Sequence, residues 1–224
     1  PHYGLIFNKK TMKKPLILIV SIILMVICSS CEKLFNKDED GTSIKGEQSP
    51  MGEVGATVES SSMEIAGVSN FSAEVIALKS GVSSYTATAT VKSDIIKNLI
   101  SNFPGVSING DKATITDMKI QQTKEGIKCE TGPGAGVIVK YDSKVGDTYP
   151  IGETGKVRTV VSKTGEDDYP YGFMLIKTIQ VESNPKNFKS NSGVSKLTYI
   201  ANHKFGLVGV KVDFDDGTSV TFPV

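Results

Sequence analysis

The stretch YTATATVKSDIIKNLISNFPGVSINGDKATI (residues 85–115) carries two periodicities in succession. Tyr85 to Val91 alternate strictly, with threonines on one face and small apolar residues on the other, the period of a half-buried strand. The period then changes: Ile96, Leu99, Ile100 and Phe103 fall at i, i+3, i+4 and i+7, one stripe of an amphipathic helix. Ser93-Asp94 can cap that helix and Pro104-Gly105 stops it. Ile108-Asn109-Gly110-Asp111 follows as a type I′ hairpin signal joining Val106 and Ile108 to Ala113 and Ile115. A lone amphipathic helix among strands must bury its stripe against a sheet, so the fold is expected to be α+β and mostly β: a curved antiparallel sheet or half-barrel packed on one helix.

Working outward, strands are expected near Val137–Tyr141, Lys156–Lys163, Phe173–Glu182, Ser195–Ala201, Leu207–Phe214 and Thr218–Phe222. The last two form a hairpin closed by Asp216-Gly217, with Val208, Val210, Val212 and Phe214 facing Val220 and Phe222. About ten strands and one helix make a single domain over residues 63–224. The other arrangement is a smaller N-terminal module joined near Gly132-Pro133-Gly134. Residues 33–62 are rich in Gly, Ser, Glu, Lys and Asp and lack sustained periodicity, so 31–62 is expected to be a flexible linker that begins at Cys31.

The N-terminal region speaks to location. Met12-Lys13-Lys14-Pro15 precedes a twelve-residue apolar run, Leu16 to Ile27, then Cys28-Ser29-Ser30-Cys31, the layout of a secretory signal peptide. As a helix the run would span only ~18 Å, short of the ~30 Å hydrocarbon layer, which disfavours a permanent transmembrane segment. The chain has 224 residues with a formal charge of +1, but residues 1–30 hold four Lys and no acid, leaving 21 basic against 24 acidic residues beyond them, a net −3. A nucleic-acid partner is not expected from that balance.

Ser29-Ser30-Cys31 resembles the relaxed lipobox of Bacteroidetes-type envelope lipoproteins, with Cys28 standing where Leu is usual. The resemblance implies lipidation at Cys31 and a place in the cell envelope, on an outer-membrane anchor facing the periplasm or the cell surface. Two or more acyl chains anchor stably where one does not. Glu32-Lys33 and Lys37-Asp38-Glu39-Asp40 resemble the acidic export signals of such proteins; the simpler account is a solvated tether. Farther on, the order Tyr141-Asp142-Ser143-Lys144-Val145-Gly146-Asp147-Thr148-Tyr149, Pro170-Tyr171-Gly172-Phe173, Ile176-Lys177, Tyr199-Ile200-Ala201 and Phe205-Gly206-Leu207-Val208 resembles LolA-like open-barrel domains. That likeness implies a curved sheet wrapping a helix and an apolar cavity. The missing Trp after the Gly-Asp pair and the chain's own lipoprotein signal keep a carrier function from transferring.

Catalytic signals are thin. His203 is the sole His beyond the leader, and Cys129 the sole thiol beyond Cys31. There is no Gly-x-Ser-x-Gly elbow, phosphate-cradling loop or His-Glu-x-x-His. A turn residue (His203) and a buried strand residue (Cys129) are the expected roles. Asn36 to Glu47 matches a calcium loop at positions 1, 3, 5, 6 and 12, but neither flank is helical, so no metal is expected there, nor at Asp213, Asp215 and Asp216. No cofactor is expected either.

The expected function is therefore non-enzymatic: a lipid-anchored binding domain for an apolar or amphipathic small ligand or an envelope partner. Ile96, Leu99, Ile100, Phe103, Tyr169 and Tyr171 are the expected ligand-binding residues. Tyr169 and Tyr171 belong to an aromatic loop behind the acidic Glu166-Asp167-Asp168, and Tyr offers both an apolar face and a polar tip. The alternative is a surface structural or adhesive β-sandwich module. A cavity under the helix points to the first, two closely packed sheets to the second.

Overall fold

The alternating stretch at 85–91 ends a long strand, β3 (Val82–Val91), which pairs antiparallel with β2 (Val68–Lys79) and β5 (Lys112–Gln122). A computed structural model describes residues 42–60, 64–101, 103–132, 134–184 and 193–224. These residues all belong to one compact unit, so the single-domain arrangement holds across Gly132 and Gly134, where β6 (Gly126–Cys129) pairs directly with β7 (Gly136–Lys140). The first sheet runs β1 (Thr57–Glu59), β2, β3, β5, β6, β7, with β4 (Val106–Asn109) also paired to β5. The β4–β5 pairing matches Val106 with Ile115 and Ile108 with Ala113, the register anticipated from Asn109-Gly110.

The second sheet holds β8 (Thr148–Pro150), β9 (Val157–Lys163), β12 (Ile179–Ser183), β13 (Val194–Asn202), β14 (Gly206–Phe214) and β15 (Ser219–Pro223). Its spatial order is β15-β14-β13-β12-β9-β8. Val210 pairs with Phe222 and Val212 with Val220, as the Asp216-Gly217 turn required. One expectation is corrected here. Phe173–Glu182 is not one strand but the end of a separate hairpin, β10 (Tyr169–Tyr171) with β11 (Met174–Ile176), followed after Lys177-Thr178 by β12. The Thr164 hydroxyl accepts from the Thr178 N–H at 2.8 Å and Thr164 N–H donates to Thr178 O, bonds that tie Thr178 to the residue after β9.

The fold is thus α+β and mostly β, with antiparallel sheets that do not close into a barrel. Register shifts in β2, β12 and β13 curve them. The sheets share one core. Ile127, Val137 and Val139 of the first interlock with Tyr149, Val160, Ile179, Val181 and Ala201 of the second. Burying each such aliphatic side chain is worth about 1.5–3 kcal/mol.

The helix, α1 (Asp94–Ile100), starts where the sequence placed it: the Ser93 hydroxyl accepts from the Ile96 N–H at 3.4 Å. It ends at Ile100, three residues before Phe103, because Pro104 disfavours helical backbone at the residue preceding it. Ile96 packs with Val91 and Ala113 of the first sheet, while Leu99 packs with Val194, Leu197 and Val212 of the second. The helix is a wedge shared by both sheets. Among the described residues no helix is long and apolar enough to cross a membrane, and the Leu16–Ile27 run lies outside them.

The linker expectation also needs correcting. From Thr42 onward the chain is part of the domain: Ile44 is 3% exposed within the inter-sheet core, Gln48 bridges to Thr123, and β1 pairs with β2. Composition hid this, because a polar segment is held by a few anchors. Ser83 Oγ donates to Gly52 O at 2.5 Å, and Tyr85 Oη donates to Met51 O at 2.9 Å.

Candidate functional site

Alternation along β13 creates the site. Ala201 enters the inter-sheet core, so its neighbour Ile200 points to the opposite face, where it joins Ile176 and Val208 in a separate cluster roofed by Tyr169, Tyr171 and Phe205. The β10–β11 hairpin lies on this outer face, with Tyr169 paired to Ile176, Pro170 to Leu175 and Tyr171 to Met174. The Tyr171 and Phe205 rings stack at 5.2 Å between centroids, tilted by 38°. Burial pushes the Tyr169 hydroxyl above the ordinary tyrosine range.

Phe205 is held in place from the backbone. Asn202 is buried, and its Oδ1 accepts from the N–H groups of Lys204 at 2.8 Å and Phe205 at 3.2 Å. Its Nδ2 donates to Lys177 O at 2.7 Å, tying the end of β11 to this turn. Gly206 closes the turn at φ 74, and any Cβ there would collide with the Gln122 amide. Beside the stacked pair lies a groove of about 180 Å³, lined by Tyr171, Phe205, Leu207 and Val224 on one side and by Met51 and the Thr57–Glu59 strand on the other. It is smaller than the ~300–1,000 Å³ of ordinary small-molecule pockets.

The tip beyond is different in kind. Gly172, Phe173, Met174 and Leu175 are exposed in succession: Phe173 completely, Met174 by 52% and Leu175 by 55%. Glu166, Asp167 and Asp168 at the base of the hairpin are exposed as well.

The six expected ligand-binding residues do not gather. Ile96 and Leu99 are buried by protein contacts, Ile100 sits beside Ile96, and Phe103 is half-buried in the turn after the helix. Only Tyr169 and Tyr171 belong to the hairpin cluster. Ile96 and Leu99 of the helix stripe are core residues, each packed against strand side chains. Cys31 lies outside the described residues, as do Asn36 to Gly41 of the calcium-loop match. Glu47, that loop's last position, pairs with Lys124, which holds its carboxyl below the usual range.

Other candidates have local partners. Asp216 accepts from the Thr218 N–H and hydroxyl, which lowers its pKa, and Asp213 faces Lys211 at 3.0 Å and Lys196 at 3.6 Å. His203 is an exposed turn residue. Cys129 ends β6, its Sγ donating to Thr131 O at 3.2 Å, and burial raises its thiol pKa. Among the described residues no group of three His, Cys, Asp or Glu is placed to hold a metal ion.

Sequence reasoning missed the exposed tip because Phe173 was assigned to a strand, and missed Phe205 because one aromatic in a polar turn gives no periodic signal. The chain matches no family model, no curated protein and no solved structure.

Proposed function

We propose that the protein is a cell-envelope lipoprotein, anchored in the outer membrane through Cys31 and facing the periplasm or the cell surface. Its β domain is a non-enzymatic binding module for an apolar or amphipathic ligand or an envelope partner. The anchor rests on the Met12–Cys31 pattern. The binding role rests on one observation: three successive apolar side chains, Phe173 to Leu175, stand in solvent at the end of a hairpin that is held to the sheet by the contact of Tyr171 with Phe205. Soluble domains seldom expose a contiguous apolar patch without a use for it. The groove's small volume favours contact over the hairpin surface above enclosure of a ligand.

A structural or adhesive β-sandwich module is the second reading. The observation favouring it is the shared core of the two sheets, with Leu99 of the helix closed into side-chain packing.

Metabolic labelling with a clickable fatty acid tests the anchor. Label should enter the wild-type chain and not Cys31→Ala, and the variant should leave the membrane fraction; equal labelling refutes the lipoprotein reading. For the module, Phe173→Ser should abolish retention of a partner or ligand found on the purified protein while leaving the melting temperature unchanged. Retention unaffected by that change favours the structural reading.

A further inference from the structure

We infer that the tip of the β10–β11 hairpin is a membrane-contact element, with Phe173, Met174 and Leu175 seated in the interface of a zwitterionic bilayer. The inference deepens the lipoprotein reading and takes from it only the Cys31 anchor.

Chain length brings the domain to the membrane. Thr42 is eleven residues beyond Cys31, and Ile44 is already in the core. Even fully extended, those eleven residues reach no more than ~40 Å, whereas a linker running to residue 62 could reach ~110 Å. Nine residues past Thr42, the entering segment reaches the hairpin, since Met51 and Tyr171 of β10 line one groove.

The hairpin's chemistry suits the headgroup boundary. Tyr169 to Ile176 contains no charged residue and three aromatic rings. Aromatic rings with a polar edge concentrate at membrane interfaces, and apolar side chains beyond them bury in the acyl boundary. The tip needs no folding to insert, because Ile176 is buried beneath it and Tyr171 is stacked on Phe205. Exposed Glu166, Asp167 and Asp168 at the hairpin base repel anionic headgroups, which sets the preference for zwitterionic lipid.

The chain contains no Trp, so Phe173→Trp places a lone fluorophore at the tip. The full chain with this substitution is reconstituted through its anchor into phosphatidylcholine vesicles, with or without bromine on the acyl chains. The expected result is emission shifted to the blue of the lipid-free Cys31→Ala chain and strongly quenched by brominated lipid. Adding Met174→Ser and Leu175→Ser should reduce the quenching several-fold. Unshifted, unquenched emission from chains that float with the vesicles overturns the tip contact and leaves the anchor standing. A blue shift without bromine quenching means that protein covers the tip, which also overturns it.

A chain that fails to float with Cys31 intact counts against the anchor alone. The tip is then judged by titrating the Cys31→Ala, Phe173→Trp chain with the same vesicles. Quenching that saturates at high lipid, and weakens when phosphatidylglycerol replaces part of the phosphatidylcholine, supports the contact; no quenching overturns it.

Discussion

The guanidinium of Arg158 lies over the Tyr199 ring, 5.8 Å from its centroid, between two strands of the second sheet. Arg158 is the chain's single arginine, against 24 lysines, and it is 1% exposed. No carboxylate answers it in the packing described; Nη1 donates to Val137 O at 3.0 Å and Nη2 to Gly134 O. Gly134 suits this approach, since a Cβ there would lie 3.3 Å from Arg158 Nη2. A planar fork that stays charged and is weakly hydrated can serve two carbonyls and an aromatic face together, which an ammonium cannot. Arg158→Lys should therefore cost about 2–4 kcal/mol, from an unpaired carbonyl and a more strongly hydrated buried charge. Urea unfolding with an unchanged m-value would read this as a lowered midpoint. An unmoved midpoint would mean that the carbonyls are satisfied without the fork.

The entering segment supplies a second test. Ile44 packs against Ile127, Val139 and their neighbours across the sheet interface, so Ile44→Ala should cost about 2–5 kcal/mol. A variant in a true linker would cost nothing measurable. Calorimetric melting of the two chains distinguishes these outcomes.

What the sequence disclosed and what it hid divide along physical lines. The Ser93 cap, the Ile108–Gly110 turn and the Val210–Phe222 register rest on local rules, dihedral demands and period-two alternation, and the structure keeps all three. The entering segment was hidden because Ile44 is one apolar residue among polar ones, and its burial depends on Ile127, more than eighty residues away. The helix stripe was legible as buried, yet periodicity does not say whether the opposing surface is packed or hollow. Val194, Leu197 and Val212 decide that, and they come from distant strands. Tyr169 and Tyr171 were legible as an aromatic cluster. That Phe173 faces water depended on the pairing of Tyr171 with Met174, which leaves Gly172-Phe173 as the turn of the hairpin, with Gly172 at φ 58.

Tyr85 gives a pH-dependent prediction. Burial pushes its hydroxyl from 10.0 up to about 12. The folded state then holds a proton that the unfolded chain releases near pH 10, so the stabilisation is full below that pH and is lost as pH rises through about 12. At neutral pH, Tyr85→Phe should cost about 1 kcal/mol, the net worth of the bond to Met51 O. The difference from wild type should narrow above pH 10, vanish within about one pH unit and be reversed by pH 12, because a rise to about 12 is worth about 2.7 kcal/mol. A constant difference across that range would show that Tyr85 does not titrate with folding.

The last prediction concerns the helix wedge. Leu99 is buried beside Val194, Leu197 and Val212, so Leu99→Ala removes these contacts and should cost about 2–5 kcal/mol. Ile100 is only partly buried beside Ile96, and its truncation should cost less. A lipophilic dye should gain little fluorescence with wild type under the helix and more with Leu99→Ala, because the change opens an apolar void. Were the helix instead the roof of a ligand cavity, the order would reverse: wild type would bind the dye, Leu99→Ala would bind it less, and the stability loss would be small because one side already lacked contacts. Measuring dye fluorescence and the urea midpoint on the same three chains separates a packed wedge from a cavity roof.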